Sequence, residues 1–353
     1  MNLHRLMSAV LVFFLLQSCY EAPPVFHAGD NPPRLSDWNL FTLRGGQLQP
    51  HSATLPFQPA NALFSDYAHK LRSLWIPEGR RIETRDGELD YPVGTVLSKT
   101  FYYPVAAGGR VLKQTDADLV SITMDDHRLL ETRLLIRREQ GWQAFPYVWN
   151  DDQTEAFLRV AGASERLSLN TEQGTQNFTY FIPNENQCAA CHVTDYPDGG
   201  MQPLGAVSHQ LGDQLMAIVE RGWLDEPPEP EPVPRWQDTA LPIKERAVAY
   251  LDINCGHCHS PTGPADTSAL LLDGFHRSDL DRGRCKPPVA AGRGAGNLRY
   301  GMVPGQPELS ILVFRMASGD PAVMMPELGR SLVHAEGVAL VSDWIEEMPG
   351  SCN

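Results

Sequence analysis

Two stretches of this chain write the same pattern, Cys188-Ala-Ala-Cys191-His192 and Cys255-Gly-His-Cys258-His259. With seven cysteines and eleven histidines in 353 residues, composition alone gives about 0.004 matches to Cys-x-x-Cys-His. Finding two therefore points to chemistry. Two thiols three residues apart on a turn can add across the two vinyl groups of one porphyrin. The histidine directly after them then aims its imidazole at the iron. The spacing predicts two covalently bound haem c groups, attached through Cys188, Cys191, Cys255 and Cys258, with His192 and His259 as the proximal iron ligands. Zinc is the main rival, because Cys-x-x-Cys pairs also build tetrahedral zinc sites. A zinc ribbon spaces its pairs about 15–20 residues apart, whereas 63 residues and a proline-rich stretch separate Cys191 from Cys255. A thioredoxin-like redox pair does not require the following histidine, and no βαβ pattern surrounds either motif. His257, inside the second motif, is assigned no ligand role.

The sixth iron ligand decides what such a haem does. Methionine or histidine there makes an electron carrier, and an open position permits chemistry on a small molecule. For the second haem the candidates are Met302, Met316, Met324 and Met325. Met325 is favoured, because Pro326 stiffens the loop behind it. For the first haem Met201 in "DGGMQPLGA" is the candidate, nine residues past His192. Its rivals are His209, Met216 or a ligand from the β-rich region. Arg110, Arg284 and Arg293 are candidates to pair with haem propionates, since guanidinium suits carboxylate, and nothing in the sequence chooses among them. His334 is expected to be exposed at the start of the last helix.

The elements that must position these residues read as an α+β multidomain chain. A β-rich N-terminal domain, sandwich- or barrel-like, precedes mostly α-helical cytochrome c modules. Residues 1–18 hold a basic start and an apolar run too short to span a bilayer, and read as a signal peptide. The sequence "LLQSC" that ends this segment resembles a bacterial lipobox with Cys19 as the lipidated residue, and Gln17 departs from that motif. Residues 19–60, rich in Pro, Gly and polar residues, are expected to be a tether. Short β-branched and aromatic runs fill 61–182. The first haem module is placed at 183–224, a stiff proline-rich linker at 225–236, and the second haem domain at 237–353. In "IKERAVAYLDINC" Ala247, Tyr250, Leu251 and Cys255 share one helical face, as do Val338, Val341, Trp344, Ile345 and Met348 further on. In an exported chain Cys285 and Cys352 remain once the other five cysteines are assigned, and a disulfide between them balances the count. The formal charge of −14, with no basic cluster, argues against nucleic-acid binding. It suits solubility or a basic partner.

The segment running from "PGQPELSILVFRM" through "MMPELGRS" to "LVSDWI" resembles the C-terminal part of bacterial cytochrome c domains, in which the methionine of a Met-Pro pair is the distal ligand. More widely, the two motifs with "LFSDYAHKLRSLWIPEG", "FPYVWNDDQTEA" and "CKPPVAAGRGAG" resemble a bacterial family of exported two-haem lipoproteins with no settled role. The resemblance spans most of residues 35–347 and implies a β-rich domain followed by cytochrome c modules. It supplies no substrate. The absence of aspartate after Cys19 favours the outer over the inner membrane, by resemblance to enteric lipoproteins. Three function classes follow. One is a periplasm-facing electron-transfer protein with a periplasmic or membrane redox partner. Another is a peroxidase- or oxidase-type enzyme with one open haem site. The third is a haem-based sensing or binding lipoprotein.

Overall fold

The chain was analysed as a computed structural model that describes residues 21–114, 120–229, 231–289 and 292–352. Cys19 and the signal segment 1–18 lie outside the described residues. The strands, in chain order, are β1 (Phe41–Arg44), β2 (Gln47–Pro50), β3 (Leu55–Pro56), β4 (His69–Trp75), β5 (Glu83–Arg85), β6 (Glu88–Asp90) and β7 (Val96–Pro104). There follow β8 (Val111–Leu112), β9 (Ile122–Thr123), β10 (His127–Arg138), β11 (Gly141–Trp149), β12 (Ala156–Leu158), β13 (Ala163–Thr171) and β14 (Gly174–Ile182). Their centre is a six-stranded sheet in the order β12-β11-β10-β7-β4-β3, antiparallel throughout. Hairpins β1-β2 and β13-β14 gain short third strands from β9 and β8.

Side chains alternate between the two faces of a strand. One face of the central sheet carries Trp75, Val96, Leu134, Ile136, Phe145 and Tyr147, and is capped by Leu35, Trp38 and Leu40. Trp38 is fully buried and donates from Nε1 to the Tyr147 hydroxyl at 2.8 Å. The expected tether is thereby corrected. Residues 35–56 belong to the β body, because Leu35, Trp38, Leu40 and Leu48 bury large apolar side chains that a Pro/Gly count does not register.

Among the described residues six α-helices follow: α1 (Glu185–His192), α2 (Ser208–Leu211), α3 (Leu215–Glu220), α4 (Ile243–Leu251), α5 (Ile311–Met316) and α6 (Ala335–Glu346). They are short, and turns and single 3₁₀ turns join them. The expectation of mostly α-helical cytochrome c modules is corrected: the molecule is β-rich, and no helical cytochrome module is present among the described residues. Gly and Pro number 29 each, and they cut the helical patterns before they lengthen. Over 208–224, Gly212 at φ 51° ends α2 and a 3₁₀ turn intervenes before α3. Nor do residues 183–224 make a module with its own core. Leu211, Leu215, Ile218 and Leu224 pack onto Phe57, Leu74, Leu97 and Trp142, the second face of the central sheet.

Helices α4, α5 and α6 share a cluster containing Ala247, Tyr250, Leu251, Leu312, Val341 and Trp344. Gly337 lets α6 lie on Tyr250, since a Cβ there would fall 2.1 Å from the phenol ring. The proline-rich stretch is pinned at its far end: Asn61 donates to the Pro234 carbonyl at 2.8 Å and accepts from the Trp236 amide at 3.0 Å. Cys285 and Cys352 form a disulfide. Among the described residues no helix is long and apolar enough to cross a membrane.

Asp66 fastens the loop after Pro326 to the β body, its Oδ1 accepting from the Ser331 and Leu332 amides at 2.7 Å each. Burial pushes its carboxyl up from 3.8 to about 6, against those two amides and the nearby Arg330 and Lys70. A raised folded-state value favours the protonated acid. The stability it lends is complete below about pH 4 and is lost as pH rises through about 6, roughly 3 kcal/mol in all. Asp66→Asn keeps an acceptor for both amides and removes the charge. The difference in denaturation midpoint between wild type and Asp66→Asn should therefore change between pH 4 and pH 7. A constant difference would remove Asp66 from the pH response.

Candidate functional site

Helix α1 grows directly out of β14. Asn184 caps it in a reciprocal box with Gln187, accepting from the Gln187 amide at 2.9 Å and donating its own amide to Gln187 Oε1 at 3.0 Å. Cys188 and Cys191 stand three apart and so share a helical face. The second motif begins where α4 relaxes into a π turn over Asp252–Gly256, a departure from regular helix that often marks a functional position. Asn254 secures this turn, donating to the Tyr250 carbonyl at 2.9 Å and accepting from the Phe64 amide at 2.8 Å. The chain then doubles back: Ala265 donates to the Cys258 carbonyl at 3.1 Å, and a Cβ on Gly263 would lie 2.3 Å from that oxygen.

The two motifs, 63 residues apart in sequence, meet. Cys188, Cys191, His192, Cys255 and His257 line one cavity of about 210 Å³. Cys258 and His259 are not part of that wall, and Cys258 Sγ lies 3.7 Å from the Ala190 carbonyl. Cys258 and His257 lie close enough to Cys191 to pull its thiol down. Tyr196 donates to the Thr262 carbonyl at 2.8 Å and ties the two loops that follow the motifs. All four motif cysteines are free thiols.

Both motif histidines are held in the same way. His192 Nδ1 lies 2.7 Å from the Gln202 carbonyl, which can only accept, so the ring carries its proton on Nδ1 and leaves the Nε2 lone pair free. Ser268 Oγ donates to the Ala265 carbonyl at 2.6 Å and accepts from His259 Nδ1 at 3.2 Å. Burial lowers both imidazoles to about 4 and keeps them neutral. A neutral imidazole oriented through Nδ1 is the form that ligates a metal.

Among the described residues no group of three or more His, Cys, Asp and Glu gathers to hold a bare metal ion. A haem needs less from the chain, because the porphyrin brings four nitrogens of its own. Paired free thiols, a ligand-ready histidine after each pair and one shared cavity fit it.

Met325 lines the cavity, as do Met316 and Tyr250. Arg330, itself buried, holds the Met325 loop by donating to the carbonyls of Met325 at 2.8 Å, Ser318 at 3.1 Å and Leu332 at 3.1 Å. Met302 packs into the helical core and Met324 lies off the wall. Met201 bridges the backbones of Trp142 and Val193, outside the cavity wall, and the carbonyl of its neighbour Gln202 occupies the Nδ1 side of His192. His209 is half-buried and Met216 is solvent-exposed, and neither lines the cavity. Nor do the expected propionate partners reach the cavity. Arg110 is exposed, Arg284 donates to the Pro349 carbonyl at 2.5 Å, and Arg293 pairs with Asp320 at 2.9 Å.

Two features of the wall escape a reading of the sequence. One is His334, which is half-buried rather than exposed: it stacks on Phe64 with centroids 4.2 Å apart and meets the Tyr250 hydroxyl at 3.0 Å. The other is a group of cations, Lys70, Arg72, Lys99 and Arg133, on the second face of the central sheet. Alternation in "HKLRSLW" puts Lys70 and Arg72 on one face of β4. Nothing short of strand register brings Lys99 and Arg133 alongside. No family model matches the chain, and neither a curated protein nor a solved structure matches it, so the likeness of its motifs to two-haem lipoproteins stays a resemblance.

Proposed function

We propose that this chain is a periplasm-facing electron-transfer protein carrying two covalently bound haem c groups. It would be exported and lipid-anchored through Cys19, with the outer membrane favoured, and would serve a periplasmic or membrane redox partner. The observation that carries the reading is that both motifs reach one cavity, the first through Cys188, Cys191 and His192 and the second through Cys255. Haem, when bound, supplies a one-electron couple at its iron. The chain contributes two neutral imidazoles with free Nε2 lone pairs and four thiols for attachment. The nearness of Cys191 to Cys258 would place the two attachment points side by side. The loop latched by Arg330 offers Met325 as a sixth ligand for the second haem. The export signal and the resemblance to two-haem lipoproteins support the same reading.

The test is an ultraviolet–visible spectrum of the exported protein, oxidised and reduced, with and without carbon monoxide, beside a pyridine haemochrome count. Two haems per chain, a Met–iron charge-transfer band and no carbon monoxide shift are the expected result. A count below two would sink the claim for both motifs. Met325→Ala should abolish the charge-transfer band and open one haem to carbon monoxide, with the haem count unchanged. A band that survives would move the assignment to Met316. The displacement of Met201 from the cavity favours a second reading, an enzyme whose first haem has an open position. A wild-type protein that binds carbon monoxide at one haem and shows a high-spin band when oxidised would select it.

A further inference from the structure

Three strands of the central sheet bring cations into direct cross-strand register. Lys99 on β7 stands opposite Arg72 on β4 on one side and opposite Arg133 on β10 on the other. Lys70 follows two residues before Arg72 on the same face, in the row where Phe101 and Glu131 stand. Like charges directly opposed across strands destabilise a sheet, and these four line an interior cavity. Their partners are few. Arg133 forms a two-bond pair with the fully buried Glu131, at 2.6 and 2.8 Å, and Glu131 also accepts from the Tyr180 hydroxyl. Arg72 donates to Gln58 Oε1 at 2.7 Å and Lys70 to the Leu63 carbonyl at 2.7 Å, both neutral acceptors. Among the described residues no hydrogen bond is formed by the Lys99 ammonium, which lies 5.2 Å from the centroid of the Phe101 ring. Glu131 and Asp66 are the carboxylates whose charges reach these groups. The basic side chains outnumber these two carboxylates, Arg330 also lining the cavity beside Asp66, and burial among them lowers Lys70 well below its usual value and Lys99 to about 7. Buried charge without a counter-ion is costly, so the row is built for an anion that enters the cavity.

We propose that the Arg72–Lys99–Arg133 row, with Lys70, is a carboxylate-binding wall that takes the propionates of haem held in the same cavity. This rests on the two-haem reading. A haem carries two propionates, which would supply negative charge to this wall, and Cys188 and His192 of the first motif both lie within electrostatic reach of Lys99. Arg72 and Arg133 offer planar forks to carboxylates and Lys99 a point charge between them. A small free dicarboxylate presents the same chemistry, and the experiment separates the two sources.

The test compares wild type with Lys99→Met, which keeps length and removes charge, and with Lys99→Arg, which restores it. Each is prepared as the full chain with and without haem. In the haem-free chain Lys99→Met relieves like-charge repulsion and should raise the melting temperature. In the haem-loaded protein it removes a propionate partner. There it should lower the melting temperature and move one midpoint potential negative, with Lys99→Arg returning both toward wild type. A side chain with a merely structural role would shift both forms in the same direction, and that outcome overturns the proposal. So does an unchanged midpoint potential in a protein that carries two haems. Calorimetric binding of succinate to the haem-loaded protein, lost in Lys99→Met, would transfer the wall to a free dicarboxylate. A wild-type chain with no haem overturns the underlying reading, and the haemochrome count reports that separately.

Discussion

Replacing Cys255 and Cys258 together with alanine is expected to halve the covalent haem of the exported protein, from two groups per chain to one. Both thiols must go, because one remaining cysteine can still form a single thioether. The measurement is the pyridine haemochrome count beside the intact mass, which should fall by one haem. The surviving group should keep the spectrum of the first motif, since Cys188, Cys191 and the Gln202-held His192 are untouched. The Met325 charge-transfer band should vanish with the second haem. The double variant Cys188→Ala/Cys191→Ala should give the complementary spectrum, retaining that band. An unchanged count in either variant would show that its motif is not an attachment site. The effect is all-or-none for each motif, because attachment is covalent and leaves no partial occupancy to titrate.

The second large effect concerns the Cys285–Cys352 disulfide, which closes a loop of 67 residues. Chain-entropy arguments assign such a loop about 4 kcal/mol of stabilisation, through the unfolded state it forbids. The bridge joins the end of the chain to the segment beside Met302, whose carbonyl accepts from the Cys285 amide at 2.9 Å. The double variant Cys285→Ser/Cys352→Ser should lose roughly that 4 kcal/mol in guanidinium unfolding, a large fraction of a typical domain's total. Thiol reductants offer a selective check, since they open disulfides by exchange and leave thioethers intact. Wild type with reductant should therefore unfold like the double variant while keeping its haem. An unchanged midpoint in both would mean that the loop is held by its packing alone.

How much of this was legible in the sequence varied with the range of the interaction. The two Cys-x-x-Cys-His motifs are legible because their pattern lies within five positions. The faces of α4 and α6 could be read because helical periodicity is local, and Tyr250, Leu251, Val341, Trp344 and Ile345 are buried as their spacing implies. Met325 was reached through its proline neighbour, and the loop does line the cavity. For Met201 a short distance in sequence from His192 says nothing about where the chain returns, and the structure places it outside the cavity wall. The cation row was hidden for a related reason. Lys99 means little until β4 and β10 are placed on either side of it, and that register is a long-range property. The fold class failed on composition: a helical texture was inferred for residues 183–353, yet Gly and Pro hold its helices to a few turns and the sheet dominates.

The packing of the N-terminal segment sets how far this protein can reach. Its first described residues are already fastened to the β body. Glu21 accepts from the Ser52 hydroxyl at 2.7 Å, and Asn39 and His51 donate to the carbonyls of Pro23 and Ala22 at 3.1 and 3.0 Å. Between Cys19 and Glu21 there is one residue, Tyr20, and a fully extended chain covers at most about 3.5 Å per residue. A lipid on Cys19 would therefore hold the β body within about 7 Å of its attachment point, with no leash to swing on. The body would rest against the bilayer in a restricted set of orientations. A redox partner would have to approach along the membrane surface, and lengthening the segment between Cys19 and Glu21 would become a way to measure how much that proximity matters.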